Sequence, residues 1–188
     1  MKWIGERISY VDQKDGITTF VIYPEKVAWK NNLLSAWLTV WVLIGGYVIY
    51  SLFKDYTREE KLVLIVFLSF WLYFLVRVGR ATLWQLKGKE LIRINDQVLM
   101  IKRSIFSYGK AQSYFLENIS KVKIEEVKES NLGFQFERSI WVVGGEKLSF
   151  EYQGKTVRLG RKLNETDAKL FFRVLTNRIE QRVRKKKN

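Results

Sequence analysis

The residues of this chain best placed to do chemistry are cations. Lys102, Arg103 and Lys110 lie close together, and Arg182, Arg184, Lys185, Lys186 and Lys187 crowd the C-terminal end. Such groups contact phosphate or carboxylate, Lys as a point charge and Arg as a planar fork. The competing reading is plain solvation of strand faces and of a charged end. Arg77 and Arg80, three apart, share one helix face at the end of an apolar run. Either their stems carry the charge out to lipid headgroups, or they act inside a bilayer on a substrate or proton path. No carboxylate lies in that run to pair with them, which favours the first.

What the chain lacks narrows the chemistry further. Its 188 residues include no His and no Cys. A Ser-His or Cys-His pair, a usual zinc site, a haem axial His and an internal disulfide are therefore excluded. No turn carries a P-loop or dinucleotide-type glycine pattern, and no acid–base pair or nucleophile stands out by its spacing. A Lys or carboxylate mechanism and oxygen-ligated magnesium stay open. The expectation is a protein that is not an enzyme, with no cofactor and no metal.

The elements that must position the cations begin with two apolar runs. Between Lys30 and Lys54 lie 23 consecutive uncharged residues, eleven of them Leu, Ile, Val or Phe. At 1.5 Å per residue they cover the roughly 30 Å hydrocarbon core, and those eleven favour insertion by roughly 3 to 6 kcal/mol. Leu62 to Val76 is shorter, with 15 uncharged residues. Continued to Trp84, with Arg77 and Arg80 snorkelling, it too becomes a span. The charged link Lys54–Lys61 makes the pair a helical hairpin, and two buried helices of a soluble protein are the rival reading. Trp29 and Trp84 flank its outer ends as interface anchors, and Gly45 with Gly46 would let the second helix approach closely.

Charge sets the expected orientation. Lys14, Lys26, Lys30, Arg77, Arg80, Lys87, Lys89 and Arg93 flank the outer ends, against Lys54, Arg58 and Lys61 in the turn. Both termini are expected in the cytoplasm. About 30 mostly polar residues precede the first run, so it is expected to act as an uncleaved signal anchor.

The remaining sequence reads as β structure followed by a helix. Residues 1–30 contain Ile8–Val11 and Ile17–Tyr23 around a five-residue turn, a hairpin that joins a larger sheet or lies on the membrane. From Leu86 to Gly160, alternation such as Leu148, Phe150, Tyr152 and turn signals at Asn95-Asp96, Gly109-Lys110, Asn118, Gly144-Gly145 and Gln153-Gly154 give about seven antiparallel strands. Glu126–Glu137 is the least patterned stretch and is expected to be a long loop. Asn164 then caps a helix with Ala168, Phe171, Phe172, Leu175 and Ile179 on one face. That face either closes the sheet or lies on lipid, and a sheet of this size needs a cover. The expected segments are a hairpin over 1–30, a transmembrane hairpin over 31–84, a β domain over 85–181 and a basic tail over 182–188.

About seven strands followed by one helix is the pleckstrin-homology (PH) order. On Ser113–Val127 and Leu148–Leu175, the sequence resembles a group of small bacterial inner-membrane proteins in which a two-helix hairpin precedes a PH-like domain. The resemblance covers roughly residues 31 to 180 and implies an α+β fold, with no catalytic residues to carry over. A photosystem assembly factor of chloroplasts and cyanobacteria looks similar in architecture, which implies that such modules can serve the biogenesis of larger membrane complexes.

The chain carries a net +14, and from Arg77 onward 25 Lys and Arg face 12 Asp and Glu, a net +13. The positive charge therefore sits beside an expected anionic leaflet, where each cation is worth about 1 kcal/mol. Three functions follow as expectations. The first is a noncatalytic inner-membrane adaptor that binds a partner protein or anionic lipid headgroups. The second is an accessory or assembly subunit that contacts other membrane proteins through the hairpin. The third, RNA or ribosome binding by the tail, has no aromatic platform or RNA-binding motif behind it, and no specific nucleic-acid partner is expected.

Overall fold

The computed structural model of the chain describes residues 1–13, 15–25, 27–125 and 144–187, the last three without their side chains. The long loop expected over Glu126–Glu137 lies outside the described residues. Two compact units are present, one holding the two long helices and the other the strands and the C-terminal helix.

Six strands form the larger antiparallel sheet in chain order: β1 (Lys2–Ile4), β2 (Ile8–Asp12), β3 (Thr18–Ile22), β4 (Gly88–Ile94), β5 (Val98–Ile105) and β6 (Ala111–Phe115). The N-terminal hairpin thus joins the sheet, and a further strand, β1, precedes it. β3 pairs with β4, Ile22 opposite Glu90 and Thr18 opposite Ile94, although both long helices lie between these strands in the chain. The second sheet is β7 (Ile119–Ile124), β8 (Glu146–Tyr152) and β9 (Lys155–Arg161). Among the described residues the region after Leu86 supplies six strands. All five turn signals fall between strands or at their ends.

The amphipathic C-terminal helix, α3, runs Glu165–Lys187 and closes the sheets. Asn164 Oδ1 accepts the Asp167 N–H at 2.6 Å, as an N-cap should. Ala168, Phe171 and Leu175 are fully buried, together with Ile8, Phe20, Ile22, Ile92 and Leu99 of the first sheet and Leu148, Phe150 and Leu159 of the second. Phe171 meets Phe20 edge to face at 5.4 Å. α3 continues through the basic stretch from Arg182, where a separate tail was expected, because its face extends past Ile179 to the half-buried Val183.

The helical unit consists of α1 (Ala28–Ser51) and α2 (Arg58–Lys87), both long and apolar enough to cross a membrane. α2 starts inside the expected charged link because Thr57 and Glu60 form a capping box. The Thr57 N–H donates to Glu60 Oε2 at 2.8 Å, and the Glu60 N–H donates to Thr57 Oγ1 at 3.3 Å.

Candidate functional site

Tryptophan holds the seam between the helices. Trp41 Nε1 donates to the Trp71 carbonyl at 3.2 Å, and Trp71 Nε1 donates to the Trp41 carbonyl at 2.8 Å. Trp37 stacks on Trp41 at 4.9 Å. Gly45 lies under the Trp71 ring, where a Cβ would come within 2.0 Å of the indole, whereas a Cβ at Gly46 would meet nothing within 4 Å. Close approach is therefore a property of Gly45, and Gly46 faces outward.

Strand register gathers five of the twelve sequence-selected cations toward one end of the larger sheet. Gly88, next after the last residue of α2, pairs with Ile105, Lys89 with Ser104, and Leu91 with Lys102. Lys87, Lys89, Lys102, Arg103 and Lys110 all belong to this junction end. Lys89 Nζ lies 5.7 Å from the Tyr23 ring centre. Lys102 and Lys110 have no ionic partner among the described residues.

Arg103 is engaged inside the domain. Its Nε donates to Glu90 Oε1 at 3.1 Å, and its second guanidinium nitrogen lies 3.5 Å from Glu146 and bonds the Arg158 carbonyl. Glu90 is completely buried and also accepts the Gly160 and Arg161 N–H groups at 3.0 and 2.9 Å, while Arg161 pairs with Glu146 at 3.1 Å. Two carboxylates and two guanidiniums thus clasp β4 and β5 to β8 and β9 with no net charge. Burial pushes the Glu146 carboxyl up, but Arg161 and Arg103 outweigh it and hold the group below its ordinary value.

Beside this clasp a cleft of about 500 Å³ opens between β5–β6 and β9, lined by Arg103, Lys110, Gln112, Tyr114, Glu146 and Arg158 among others. Lys110 and Arg158 are both exposed and lack an ionic partner among the described residues. Burial raises the Tyr114 hydroxyl above its ordinary value despite the nearby Arg103. The arrangement suits an anion approached from solvent: two free cations, a third already neutralised, and neutral donors. Among the described residues no three Asp or Glu side chains gather as a metal site would need.

The other selected residues fall elsewhere. Trp29 is exposed, but Trp84 is buried, because α2 continues to Lys87 and Trp84 extends the buried face of Val78 and Ala81. Arg77 lies over the Tyr73 ring, and Arg80 is exposed. Arg182 is held at the far end of the larger sheet by Asp96 at 2.8 Å and by the Gly16 carbonyl. It is separated from Gly88 by about 20 Å of strand. Arg184 lies 3.8 Å from Glu180, one turn back, and the side chains of Lys185, Lys186 and Lys187 lie outside the described residues. Arg182 is therefore a latch, and the basic end does not join the junction cations.

No protein-family model matches the chain, and no curated protein or solved structure matches it.

Proposed function

We propose that this chain is a noncatalytic, membrane-anchored binding protein. α1 and α2 cross a bacterial inner membrane, and the β domain binds anionic lipid headgroups on the cytoplasmic face. The reading is carried by the cleft at β6 and β9, where Lys110 and Arg158 stand free on a domain whose junction end is rich in cations. Topology supports the anchoring. Neighbouring strands of one sheet lie on one side of a membrane, so the segment between β3 and β4 crosses an even number of times. Two spans satisfy this, and a single span does not.

Strands β3 to β6, then β7 to β9, then α3 follow the four-plus-three-plus-helix order of a PH-like domain. On that reading the helical hairpin is inserted after the first strand, with β1 and β2 as an extension. The excess of basic residues on the outer flanks supports a cytoplasmic location for both termini.

The test is titration of the purified full chain in mild detergent with short-chain phosphatidylglycerol and phosphatidylcholine. Binding should favour the anionic lipid. Lys110→Glu with Arg158→Glu should weaken it by at least about fivefold for each cation lost, the equivalent of about 1 kcal/mol. Equal affinity for the two lipids would refute headgroup binding. For topology, Asp55→Cys should react with an impermeant maleimide in intact cells, and Gln97→Cys only after lysis.

A second reading, a subunit of a larger membrane complex, is favoured by Gly46. Its open position on the outer face of α1 leaves room for a helix of another protein.

A further inference from the structure

The turn between β5 and β6 has an unusual composition for its shape. Ile105 and Tyr108 exchange both backbone hydrogen bonds, at 2.9 and 3.0 Å, around Phe106 and Ser107. These two central residues have φ of 50° and 70°, the left-handed pair of a type I′ turn, which Asn-Gly ordinarily fills. A bulky Phe is disfavoured there. Gly109 follows, packed so closely on the Arg103 carbonyl that a Cβ would come within 2.0 Å of it. The result is a tight turn that displays Phe106, 55% exposed, and Tyr108, 86% exposed.

The position of the turn suggests what these rings meet. Ile105 is the partner of Gly88, so the turn lies beside the residue at which the chain leaves α2. Four aromatic side chains of the β domain are strongly exposed among the described residues: Trp3, Phe106, Tyr108 and Phe115. Phe115 pairs with Val98 at the opposite end. Phe106 and Tyr108 belong to the junction end, whereas Trp3 lies on the opposite edge strand, level with Leu91 at the middle of β4. Lys89, opposite Ser104, and Lys110, two residues past Tyr108, flank the turn. Exposed aromatic tips flanked by Lys are the composition that settles at a headgroup boundary.

We infer that the Phe106–Tyr108 turn inserts into the headgroup region of the same membrane that α1 and α2 cross, as a third attachment point that fixes the β domain against the surface. This rests on the membrane-spanning reading proposed above and adds a contact that two spans alone do not require. With the turn seated, Lys110 at its foot lies at headgroup level, where the cleft can receive a phosphate without extracting a lipid.

The chain has no cysteine, so single substitutions give unique labelling sites. Nitroxides would be attached at Ser107→Cys and Tyr108→Cys in the turn, Gln97→Cys at the opposite end of the sheet and Ser69→Cys in α2. The full chain would be reconstituted in vesicles of phosphatidylcholine and phosphatidylglycerol. Collision with oxygen, which concentrates in lipid, is then compared with collision with a water-soluble nickel chelate. Labels at 107 and 108 should favour oxygen over nickel well above the label at 97, while 69 reads as hydrocarbon. Two turn positions guard against one variant that fails to fold. Aqueous values at both 107 and 108 with 69 in hydrocarbon would overturn the insertion and leave the spans standing. An aqueous value at 69 would overturn the spanning reading and the insertion with it.

Discussion

Trp41 and Trp71 each donate an indole N–H to the backbone carbonyl of the other, closing a reciprocal pair across the seam of the two long helices. Both lie about 15 to 20 Å along their helices from the connecting turn, which on the proposed membrane-spanning reading is near mid-span of the bilayer. An indole N–H there has no water to bond, so the partner carbonyl's spare lone pair is its outlet. Trp41→Phe or Trp71→Phe should each cost about 0.6 kcal/mol, and at most about 1.7, in the detergent-unfolding free energy of the full chain. The two bonds use separate donors and acceptors, so the double variant should lose close to the sum. Unchanged stability in both single variants would show that the pair contributes nothing.

Gly45 and Gly46 are adjacent in sequence and opposite in consequence. Gly45→Leu must displace the Trp71 ring, breaking the reciprocal pair, and should cost about 2 kcal/mol or more by overpacking. Gly46→Leu should leave the unfolding midpoint of the isolated protein within experimental error. If the hairpin serves a larger complex, Gly46→Leu should instead release a co-purifying membrane protein. Equal destabilisation by the two variants would contradict the packing.

Glu90 is the central acceptor of the clasp between the sheets, taking Arg103 on one oxygen and the Gly160 and Arg161 N–H groups on the other. Glu90→Gln turns one of these oxygens into a donor that faces a donor and leaves Arg103 without its buried partner. A loss of about 3 to 5 kcal/mol is expected in urea unfolding followed by circular dichroism. Glu6→Gln, at an exposed position, serves as the control and should change little.

Much of this architecture is legible in the sequence where one force dominates. Two apolar runs, five turn signals and the Ala168–Ile179 face are each set by local pattern and burial. The pairing of β3 with β4 is less accessible, because a 65-residue interval separates partners that no local signal connects. The clasp left a trace that periodicity alone could have caught: Glu90 falls on the same strand face as Ile92 and Ile94, a carboxylate at an inward position. The cationic cluster Lys102, Arg103, Lys110 reads as one patch in sequence, yet strand pairing turns Arg103 inward to Glu90 and leaves the two lysines out. Trp84 reads as an interface anchor only while the helix is taken to end there.

Acid should loosen the clasp through Glu146. Its folded-state value lies below the ordinary 4.5, since the pull of Arg161 and Arg103 exceeds the effect of burial. The folded protein therefore binds this proton more weakly than the unfolded chain does. The stabilisation is complete above about pH 5 and is lost as the pH falls through 4.5 toward the lower folded value. Glu146→Gln should be less stable than the parent at pH 7 and should show a flatter decline between about pH 5 and 3 in thermal unfolding. On the alkaline side the Tyr114 hydroxyl is raised, so the unfolded chain ionises first and stability falls as the pH rises beyond 10. Tyr114→Phe should flatten that limb and leave the acid limb unchanged. An acid limb of parental slope in Glu146→Gln would remove Glu146 as its source.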